Sequence, residues 1–498
     1  MNVNPITRLD YPDPDVIRVE DTYYMVSTTM HFMPGCEILQ SFDLVHWEHV
    51  TYVYETLDHT DAQQLKSGQN IYGQGMWAAS LRYHEGRFYI CFVANDTRKT
   101  YLYTSEKIDG PWKKQLIEGF YHDGSLLFDE DGRNYIVYGN DEIWITELNE
   151  DLTAPKKDGL HRLLVSDHKN PELGYEGSHI QKINGYYYIF LIHSLRDRWM
   201  RTEACFYSDS LEGEFTGGDV LCDDRGYYGQ GVAQGGIVDT PDGKWYAMLF
   251  QDSGAVGRIP ILLPVTWKDH FPIFGQNGHV PEEIEVHSTR PGYIYQPLVG
   301  SDDFCNGLLP RWQFNHDPDP RYYHLDALQG TYTITTREVC TELTQAVNTL
   351  TQRMSYPSCA AEVTVDASAL KEGDVAGLCA LQSCYAAVGI TKHHGKYEVL
   401  MLDKKEDGIL DMTEGTVVES HQMDFRLEAD FCNMKDEARC YYRVNKGDWL
   451  PIGTVHKLYF KLDHFTGCRF GLFCYAAEET GGSACFRDFK YYDVDEIS

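Results

Sequence analysis

The sequence has little positive charge and no long apolar run. Its 498 residues include 43 lysines and arginines against 75 aspartates and glutamates, a formal net charge of −32. Nucleic-acid binding needs basic side chains that neutralise phosphates, and an anionic membrane surface would repel this chain. The longest apolar stretches, such as Tyr186 to Ile192, are too short to span a bilayer. Composition therefore argues against nucleic-acid and membrane partners, and it makes no prediction of oligomeric state.

Paired-cysteine motifs and a secretion signal are also missing. The 14 cysteines are scattered, without a C-x-x-C pair or the spacing of metal ligands. The segment Met1 to Pro5 lacks the basic and apolar regions of a signal peptide. A chain that is not exported keeps its thiols reduced. We therefore expect a cytoplasmic protein without structural disulfides.

Helical periodicity is almost absent, and a repeat of strands takes its place. Five segments read as a tight hairpin turn that enters an aromatic strand, and four of them have glycine where a short hairpin needs a positive φ. The segments begin at Asp21, Glu85, Asp131, Asn184 and Asp242. Their spacing of about 46 to 65 residues is that of propeller blades. The pattern predicts an all-β fold with a five-bladed β-propeller over residues 1–297.

The residues eight positions before the first residue of each repeat occupy equivalent positions in the five blades. These five residues are Asp13, Trp77, Asp123, Glu176 and Gln234. Because equivalent positions of propeller blades are related by rotation about the axis, we expect their side chains to converge at one depth. A single acidic residue before a strand commonly caps a loop. Three converging carboxylates, however, shift one another's pKa values, a cost that is usually tolerated only for function.

Three convergent carboxylates suit the hydrolysis of a glycosidic bond. That reaction needs one protonated acid for the leaving oxygen and one carboxylate for water or for the anomeric carbon. A third carboxylate can raise the pKa of the acid by like-charge repulsion. Calcium binding is the competing use, but calcium typically takes more oxygen ligands from one acidic loop, which this sequence lacks. No cofactor is predicted to be required, and a calcium ion in the propeller channel stays open.

Several motifs resemble those of glycoside hydrolase family 43, and their order and blade positions agree through the whole propeller. The signature blocks and active-site segments that carry this similarity are Tyr11-Pro12-Asp13-Pro14-Asp15-Val16, Met76-Trp77-Ala78, His122-Asp123-Gly124-Ser125, Tyr175-Glu176-Gly177-Ser178-His179 and Gly257-Arg258. The resemblance implies an inverting mechanism with Asp13 as the general base that activates water and Glu176 as the general acid. It also implies that Asp123 tunes the acid and orients the substrate, and that Arg258 restrains the base.

The same resemblance implies the walls of the sugar pocket. Trp77 and Ala78 would line it. Met30 stands where many β-xylosidases of the family have Phe, which leaves the sugar preference open. Gln234 stands where many members carry an axial His, which weakens the case for a His-bound central metal.

A loosely aligned pair, Arg201 and Thr202, falls where substrate contacts are expected. For Arg201, the alternative is a surface arginine that is paired with a carboxylate.

Residues 302–498 are predicted to form a second domain. The turn-rich stretch from Thr289 to Ser301 separates it from the propeller, and segments such as 331–336 and 360–365 again read as strands. A lectin-like β-sandwich fits this pattern and is similar to the C-terminal domain of family 43 xylosidases and arabinofuranosidases. It is either an independent carbohydrate-binding module or a cover for one side of the pocket. The resemblance implies that Phe465 reaches the active site, with a place in the sandwich core as the alternative.

These inferences predict an exo-acting enzyme that releases α-L-arabinofuranosyl, and with the same pocket β-D-xylosyl, from xylo- and arabinoxylo-oligosaccharides. A predominantly β-D-xylosidase activity is the alternative within the class. Related retaining propellers that cleave sucrose and fructans carry Arg-Asp-Pro and Glu-Cys blocks, where this chain has His122-Asp123-Gly124 and Glu176-Gly177. A non-catalytic sugar-binding propeller and an interaction scaffold are the alternatives from other classes, and neither needs all three carboxylates.

Overall fold

The computed structural model describes residues 2–493 and confirms the predicted all-β fold. Within this range the helical elements are four single-turn 3₁₀ helices, Lys66–Gly68, Gly254–Val256, Leu343–Gln345 and Cys432–Met434. No helix of the described residues has the length and apolar character needed to cross a membrane. The 14 cysteines are all free thiols.

The first 22 strands lie between residues 15 and 274. In chain order they are β1 (Asp15–Val19), β2 (Thr22–Ser27), β3 (Phe32–Met33), β4 (Gly35–Ser41), β5 (Glu48–Tyr54), β6 (Met76–His84), β7 (Arg87–Ala94), β8 (Lys99–Ser105), β9 (Lys113–Ile117), β10 (Ser125–Phe128), β11 (Asn134–Asn140), β12 (Glu142–Leu148), β13 (His161–Ser166), β14 (Glu176–Ile183), β15 (Tyr186–Ser194), β16 (Arg201–Ser208), β17 (Thr216–Leu221), β18 (Val232–Ala233), β19 (Ile237–Asp239), β20 (Trp245–Asp252), β21 (Arg258–Lys268) and β22 (Phe271–Phe274).

Five antiparallel sheets form the blades of the predicted propeller. Their strand orders are β1-β2-β4-β5, β6 to β9, β10 to β13, β14 to β17, and β18-β20-β21-β22 with β19 also paired to β20. The innermost strands meet around the axis, since β1 contacts β6 and β19, and β10 contacts β6 and β14. The hairpins that define the repeat have the expected backbone: in the turn between β14 and β15, Asn184 has φ 51° and Gly185 has φ 85°.

Apolar side chains between neighbouring blades hold the ring together. Each of the five blade junctions, including the one that joins the last blade to the first, has its own buried cluster. One pair from each cluster, both members almost without exposed surface, is Ile38 and Leu81, Leu102 and Leu126, Val137 and Ile180, Phe190 and Leu249, and Met25 and Leu262. Full burial of such a side chain contributes about 1.5–3 kcal/mol, so the ring closes through packing.

The remaining strands form the C-terminal domain. In chain order they are β23 (Gln313–Asn315), β24 (Tyr323–Asp326), β25 (Thr331–Thr335), β26 (Leu350–Arg353), β27 (Ser358–Asp366), β28 (Val375–Leu381), β29 (Ala386–His393), β30 (Lys396–Lys404), β31 (Leu410–Met412), β32 (Thr416–Val418), β33 (Gln422–Asp430), β34 (Glu437–Val444), β35 (Leu450–Lys457), β36 (Arg469–Tyr475) and β37 (Ser483–Asp493).

Two packed sheets make this domain the predicted β-sandwich. One sheet has the order β24-β25-β37-β27-β33-β34-β35, and the other runs β3-β23-β26-β36-β28-β29-β30-β31, with β32 also paired to β30. The predicted boundary falls after the last propeller strand, β22, and before Asp302, whose backbone pairs with Phe489 of β37.

The two domains share a sheet and a core. Strand β3, which leaves the first blade, pairs with β23 of the sandwich. Propeller residues Ala255, Val256 and Ile259 belong to the sandwich's apolar core. Arg353 of the sandwich reaches back to Glu37 of the first blade, with 2.8 Å between Nη1 and Oε2, and both side chains are buried. The sandwich therefore packs directly on the propeller.

Candidate active site

The five residues of the predicted register lie at one end of the propeller axis. Asp13 and Asp123 each precede the innermost strand of their blade by two residues, Trp77 and Glu176 lie at the starts of β6 and β14, and Gln234 lies between β18 and β19. Asp13, Asp123 and Gln234 have φ values of 53°, 48° and 63°. This left-handed backbone is costly for residues other than glycine, and such strain clusters at functional sites.

Asp13 is buried and held at both carboxylate oxygens. The Thr28 hydroxyl donates to Oδ2 over 2.6 Å, and Arg258 Nη1 donates to Oδ1 over 3.1 Å. The Arg258 side chain is itself only 3% exposed. Asp13 therefore has a fixed orientation and a fixed positive charge beside it.

Asp123 is the carboxylate of this group with a raised pKa. Burial is the largest cause and brings the pKa to about 6; the charge of His122 opposes the rise, and those of Glu176 and Asp13 add to it. The Gly177 backbone N–H donates to Asp123 Oδ2 over 2.9 Å, which joins the third blade to the fourth beside Glu176.

Glu176 has two polar neighbours on one oxygen. Asn140 Nδ2 donates to Oε2 over 2.8 Å, and His122 Nε2 lies 3.4 Å from the same atom. Oε1 is thus the oxygen that faces away from both contacts. The Glu176 side chain is 20% exposed, so it is reachable from the open end of the site.

His122 contributes a positive charge between two carboxylates. Its Nε2 lies 3.4 Å from Asp123 Oδ2 and 3.4 Å from Glu176 Oε2. Burial lowers the pKa of His122, but the charges of Asp123 and Glu176 more than offset this and raise it to about 9. These carboxylates therefore favour the imidazolium form of His122.

Side chains from both domains meet beside the carboxylates. The Phe465 ring, from a sandwich loop, lies 5.6 Å from the Trp77 ring and 4.3 Å from the guanidinium carbon of Arg258. Phe465, Trp77 and Ala78 are all partly exposed. The structure thus places Phe465 at the site rather than inside the sandwich core.

Met30 and Gln234 lie beside the site but are more deeply buried. Met30 is 1% exposed, and its backbone pairs with that of Met76, the residue before Trp77. Gln234 is 4% exposed and packs against Gly177, where an added Cβ would come within 2.7 Å of its side chain. Its backbone N–H donates over 2.7 Å to Glu203, a buried acid whose pKa burial raises well above the usual value.

Arg201 and Thr202, the loosely aligned pair, differ from each other in their surroundings. Arg201 contacts Asp252, with 2.8 Å between Nε and Oδ2, and its guanidinium lies over the rings of Trp199 and Phe250. This ion pair is largely buried, not superficial. Thr202 has no exposed surface, and its hydroxyl donates to the Met200 carbonyl, so it does not face the pocket.

One group of potential metal ligands occurs among residues 2–493. His122, Asp123 and Glu176 offer ligand atoms that all lie within 4.8 Å of one another, and Asp13 is not a member. The same side chains already have partners. His122 contacts Glu176, Asn140 donates to Glu176, and the Gly177 N–H donates to Asp123. The donor set fits a cation chemically, but it coincides with the predicted acid.

The guanidinium of Arg82 places a positive charge in the propeller channel. Arg82 of the second blade ion-pairs with buried Asp15 (2.8 Å) and donates to the Ser125 hydroxyl and to the carbonyls of Leu126 and Ile180. It therefore joins four blades below the carboxylates. A depression of about 450 Å³ opens at the far ends of the same innermost strands.

Sequence reasoning missed Thr28, His122 and Asn140. His122 directly precedes a register position, and a titratable residue there was a usable signal. Thr28 and Asn140 follow neither the repeat nor a motif, so only the fold shows that they touch Asp13 and Glu176.

Comparisons with known proteins agree with this architecture. The family model described as Glycosyl hydrolases family 43 matches residues 3–272, and the one described as Beta xylosidase C-terminal Concanavalin A-like domain matches residues 301–492. A propeller with this site and this appended sandwich defines a glycoside hydrolase. The chain belongs to glycoside hydrolase family 43.

The similar proteins are named for two different activities. The chain is 27% identical to a beta-xylosidase of Formosa agariphila, over 99% of this chain and 89% of that protein. It is 24% identical to a non-reducing end alpha-L-arabinofuranosidase of Bacteroides ovatus, over 82% of this chain and 79% of that protein. The solved structure of a bifunctional GH43-CE protein of Bacteroides eggerthii matches with a TM-score of 0.92 and 42% identity. That match covers 99% of this chain, which spans 64% of the other chain's length.

Proposed function

We propose that the protein is an inverting, exo-acting glycosidase that releases a terminal α-L-arabinofuranosyl residue, and with the same pocket β-D-xylosyl, from arabinoxylan-derived oligosaccharides. The observation that carries this proposal is the placement of Asp13 and Glu176 on different blades at one end of the axis. Each has its own fixed partners, and the pocket wall beside them includes a residue of the sandwich.

Asp13 is proposed to activate the attacking water. Because Thr28 and Arg258 hold its two oxygens, the carboxylate cannot rotate away from the anomeric carbon. The water transfers a proton to Asp13 as its oxygen bonds to the sugar. Preorganised donors of this kind need no rearrangement in the transition state.

Glu176 is proposed to protonate the leaving oxygen. Asn140 and His122 engage Oε2, which leaves Oε1 to carry the proton to the glycosidic oxygen. Asp123, which accepts from Gly177, is proposed to bind sugar hydroxyls and to set the local charge. The pair Asp13 and Glu176 then supplies the base and the acid that inversion requires.

Exo action follows from the wall that Phe465 and Trp77 form together. A pocket closed on one side by a second domain accepts a chain end more readily than a chain middle. The contacts of Phe465 with Trp77 and Arg258 support this proposal.

A predominantly β-D-xylosidase activity is the second candidate. The name of the Formosa relative supports it, whereas that of the Bacteroides ovatus relative supports the arabinofuranosidase. Initial rates on 4-nitrophenyl α-L-arabinofuranoside and β-D-xylopyranoside, measured side by side, decide between them. At least a tenfold preference for one glycoside names the enzyme, and comparable rates define a dual pocket. If the protein hydrolyses neither glycoside and also no arabinoxylo-oligosaccharide, the proposal is refuted.

Stereochemistry tests the mechanism separately. Proton NMR of the first sugar released should show the inverted anomer, because water attacks from the face opposite the leaving group. A retained anomer would contradict the role of Asp13. A purely binding propeller is not favoured, since the chain belongs to a hydrolase family and has all three carboxylates.

We further propose that the enzyme acts in a reducing compartment, the cytoplasm, and requires no metal. Fourteen free thiols support the first point. The second is supported by the cation that Arg82 supplies in the channel.

A further inference from the structure

The carboxylate of Asp10 bridges the two domains at the active site. Its Oδ1 accepts the backbone N–H of Arg258 over 2.8 Å, and its Oδ2 accepts the backbone N–H of Gly467 over 2.8 Å. Arg258 belongs to the propeller and Gly467 to the sandwich. Asp10 is 6% exposed, so both bonds are shielded from water. Hydrogen bonds to a shielded, ionised acceptor are about twice as strong as neutral ones.

Backbones approach so closely around Asp10 that no side chain fits between them. A Cβ at Gly257 would lie 2.3 Å from Asp10 Oδ1, and a Cβ at Gly467 would lie 2.2 Å from the Val256 carbonyl oxygen. The next residue, Cys468, donates its N–H to the Ala255 carbonyl over 2.8 Å. The sandwich loop therefore docks on the segment before Arg258 by direct backbone contact.

The two N–H groups that Asp10 holds are close to the pocket. Arg258 carries the guanidinium that binds Asp13, and Gly467 follows Phe465 by two residues. The Phe465 ring lies against that same guanidinium, with 4.3 Å from its centroid to the guanidinium carbon. One carboxylate thus fixes the backbone of both partners in this contact.

We propose that Asp10 is a positioning residue that aligns Phe465 of the sandwich with Arg258 of the propeller, so that the pocket is complete only when the domains are docked. The proposal rests on the proposed function, in which Arg258 restrains the base Asp13. An asparagine at this position would present one oxygen and one NH₂ group to two N–H donors. One donor would lose its acceptor and face another donor, which displaces the loop or the strand.

The test compares two isosteric carboxylate-to-amide changes at the same domain interface. Asp10→Asn breaks the bridge, whereas the matched control Asp317→Asn weakens a different contact between the domains. Buried Asp317 of the sandwich accepts from His59 of the propeller, with 2.8 Å between Oδ2 and Nδ1, and its backbone N–H donates to the Gln63 carbonyl. Phe465→Ala and the Asp10→Asn/Phe465→Ala double variant complete a double-mutant cycle. We measure kcat, KM and Tm for each full-length protein on the better 4-nitrophenyl glycoside.

We expect Asp10→Asn to lower kcat/KM by about tenfold or more, and Asp317→Asn to change it by less than about threefold at a similar loss of Tm. On the Phe465→Ala background, Asp10→Asn should cost less than about threefold, because the residue that it aligns is already gone. Equal losses from the two amide variants, or losses that multiply in the cycle, would overturn the proposal and leave Asp10 a purely structural residue.

Two further variants keep these outcomes distinct. If Asp10→Asn does not fold, Asp10→Ser takes its place in the cycle under the same criteria. Asp13→Ala tests the proposed function separately: if that variant keeps its activity, the role of Asp13 is wrong. The Asp10–Phe465 coupling is measured in either case, so failure of one proposal is not mistaken for failure of the other.

Discussion

The ring of Phe465 lies 4.3 Å from the guanidinium carbon of Arg258, which in turn binds Asp13. A residue of the accessory domain is thus one contact away from the proposed base. A cation at this distance from an aromatic face gains about 0.5–2 kcal/mol, depending on how far it is desolvated. Arg258 is nearly buried, so the upper part of this range applies.

Phe465→Ala should therefore lower kcat/KM by roughly 5- to 30-fold, as the loss of about 1–2 kcal/mol implies. The larger effect should be on kcat, because Arg258 and Asp13 act in the transition state. Leu462→Ala, at an exposed position of the same loop, is the matched control and should leave the kinetics unchanged. Similar kinetics for the two variants would refute the role of the Phe465 ring.

Glu176→Ala should discriminate between leaving groups. The acid is needed most where the leaving oxygen is a poor leaving group, so hydrolysis of an unactivated disaccharide should fall by about 10²–10⁴-fold. Hydrolysis of a 4-nitrophenyl glycoside should fall far less, because nitrophenolate leaves without a proton. The measurement is kcat/KM on both substrates, and equal losses would contradict the assignment of Glu176 as the acid.

The acidic limb of the pH profile should belong to the axial cluster. Activity should fall below about pH 6, where Asp123 becomes protonated. In His122→Gln this limb should move to higher pH, because the positive charge that lowers the pKa of Asp123 is gone.

The measurement is kcat/KM from about pH 4.5 to 10. The control variant His279→Gln changes a largely exposed histidine and should leave the acidic limb where it is. An unchanged acidic limb in His122→Gln would show that this limb arises elsewhere.

Glu203→Gln should stabilise the fold increasingly as pH rises. Burial raises the pKa of Glu203 in the folded state well above its ordinary value of 4.5, so the folded protein binds a proton that the unfolded chain releases. The free energy of unfolding of the wild type therefore decreases as pH rises above about 4.5. Glutamine has no such proton and keeps an oxygen for the Gln234 N–H.

Thermal unfolding of both proteins at about pH 5 and pH 8 checks this prediction. The Tm of the variant minus that of the wild type should be larger at the higher pH. A constant difference would mean that Glu203 is ionised in the folded protein.

Metal removal should have no effect. After dialysis against EDTA, kcat/KM and Tm should match those of the untreated protein, because Arg82 supplies the positive charge beside buried Asp15. Arg82→Met, in contrast, should cost up to about 3 kcal/mol of stability, since Asp15 loses its guanidinium partner and keeps only His179 and the Leu81 N–H. Activity that EDTA abolishes and calcium restores would refute metal independence.

The sequence predicted the elements that recur in each blade, and much less of what lies between them. The register before each hairpin turn located Asp13, Trp77, Asp123, Glu176 and Gln234, because the distance from turn to axis is fixed within a blade. Even the first repeat, which lacks glycine, makes its turn, with Glu20 at φ 55°.

Contacts that cross from one blade or domain to another follow no such period. Asn140 reaches Glu176 from the neighbouring blade, and Asp10 reaches Gly467 across 457 positions of sequence. Their partners are set by the rotation between blades and by domain docking, which no local pattern encodes. Arg258 and Phe465 were accessible only through the resemblance to a known family.

Strand β3 and the shared core make the two domains a single structural unit. It leaves the first blade and becomes the edge of a sandwich sheet, while Ala255, Val256 and Ile259 of the last blade fill the sandwich core. A gene fragment that encodes the propeller alone would display an unpaired strand edge and bare apolar surface. Recombination that exchanged the sandwich alone would therefore have to supply a new partner strand for β3 and new apolar partners for Ala255, Val256 and Ile259.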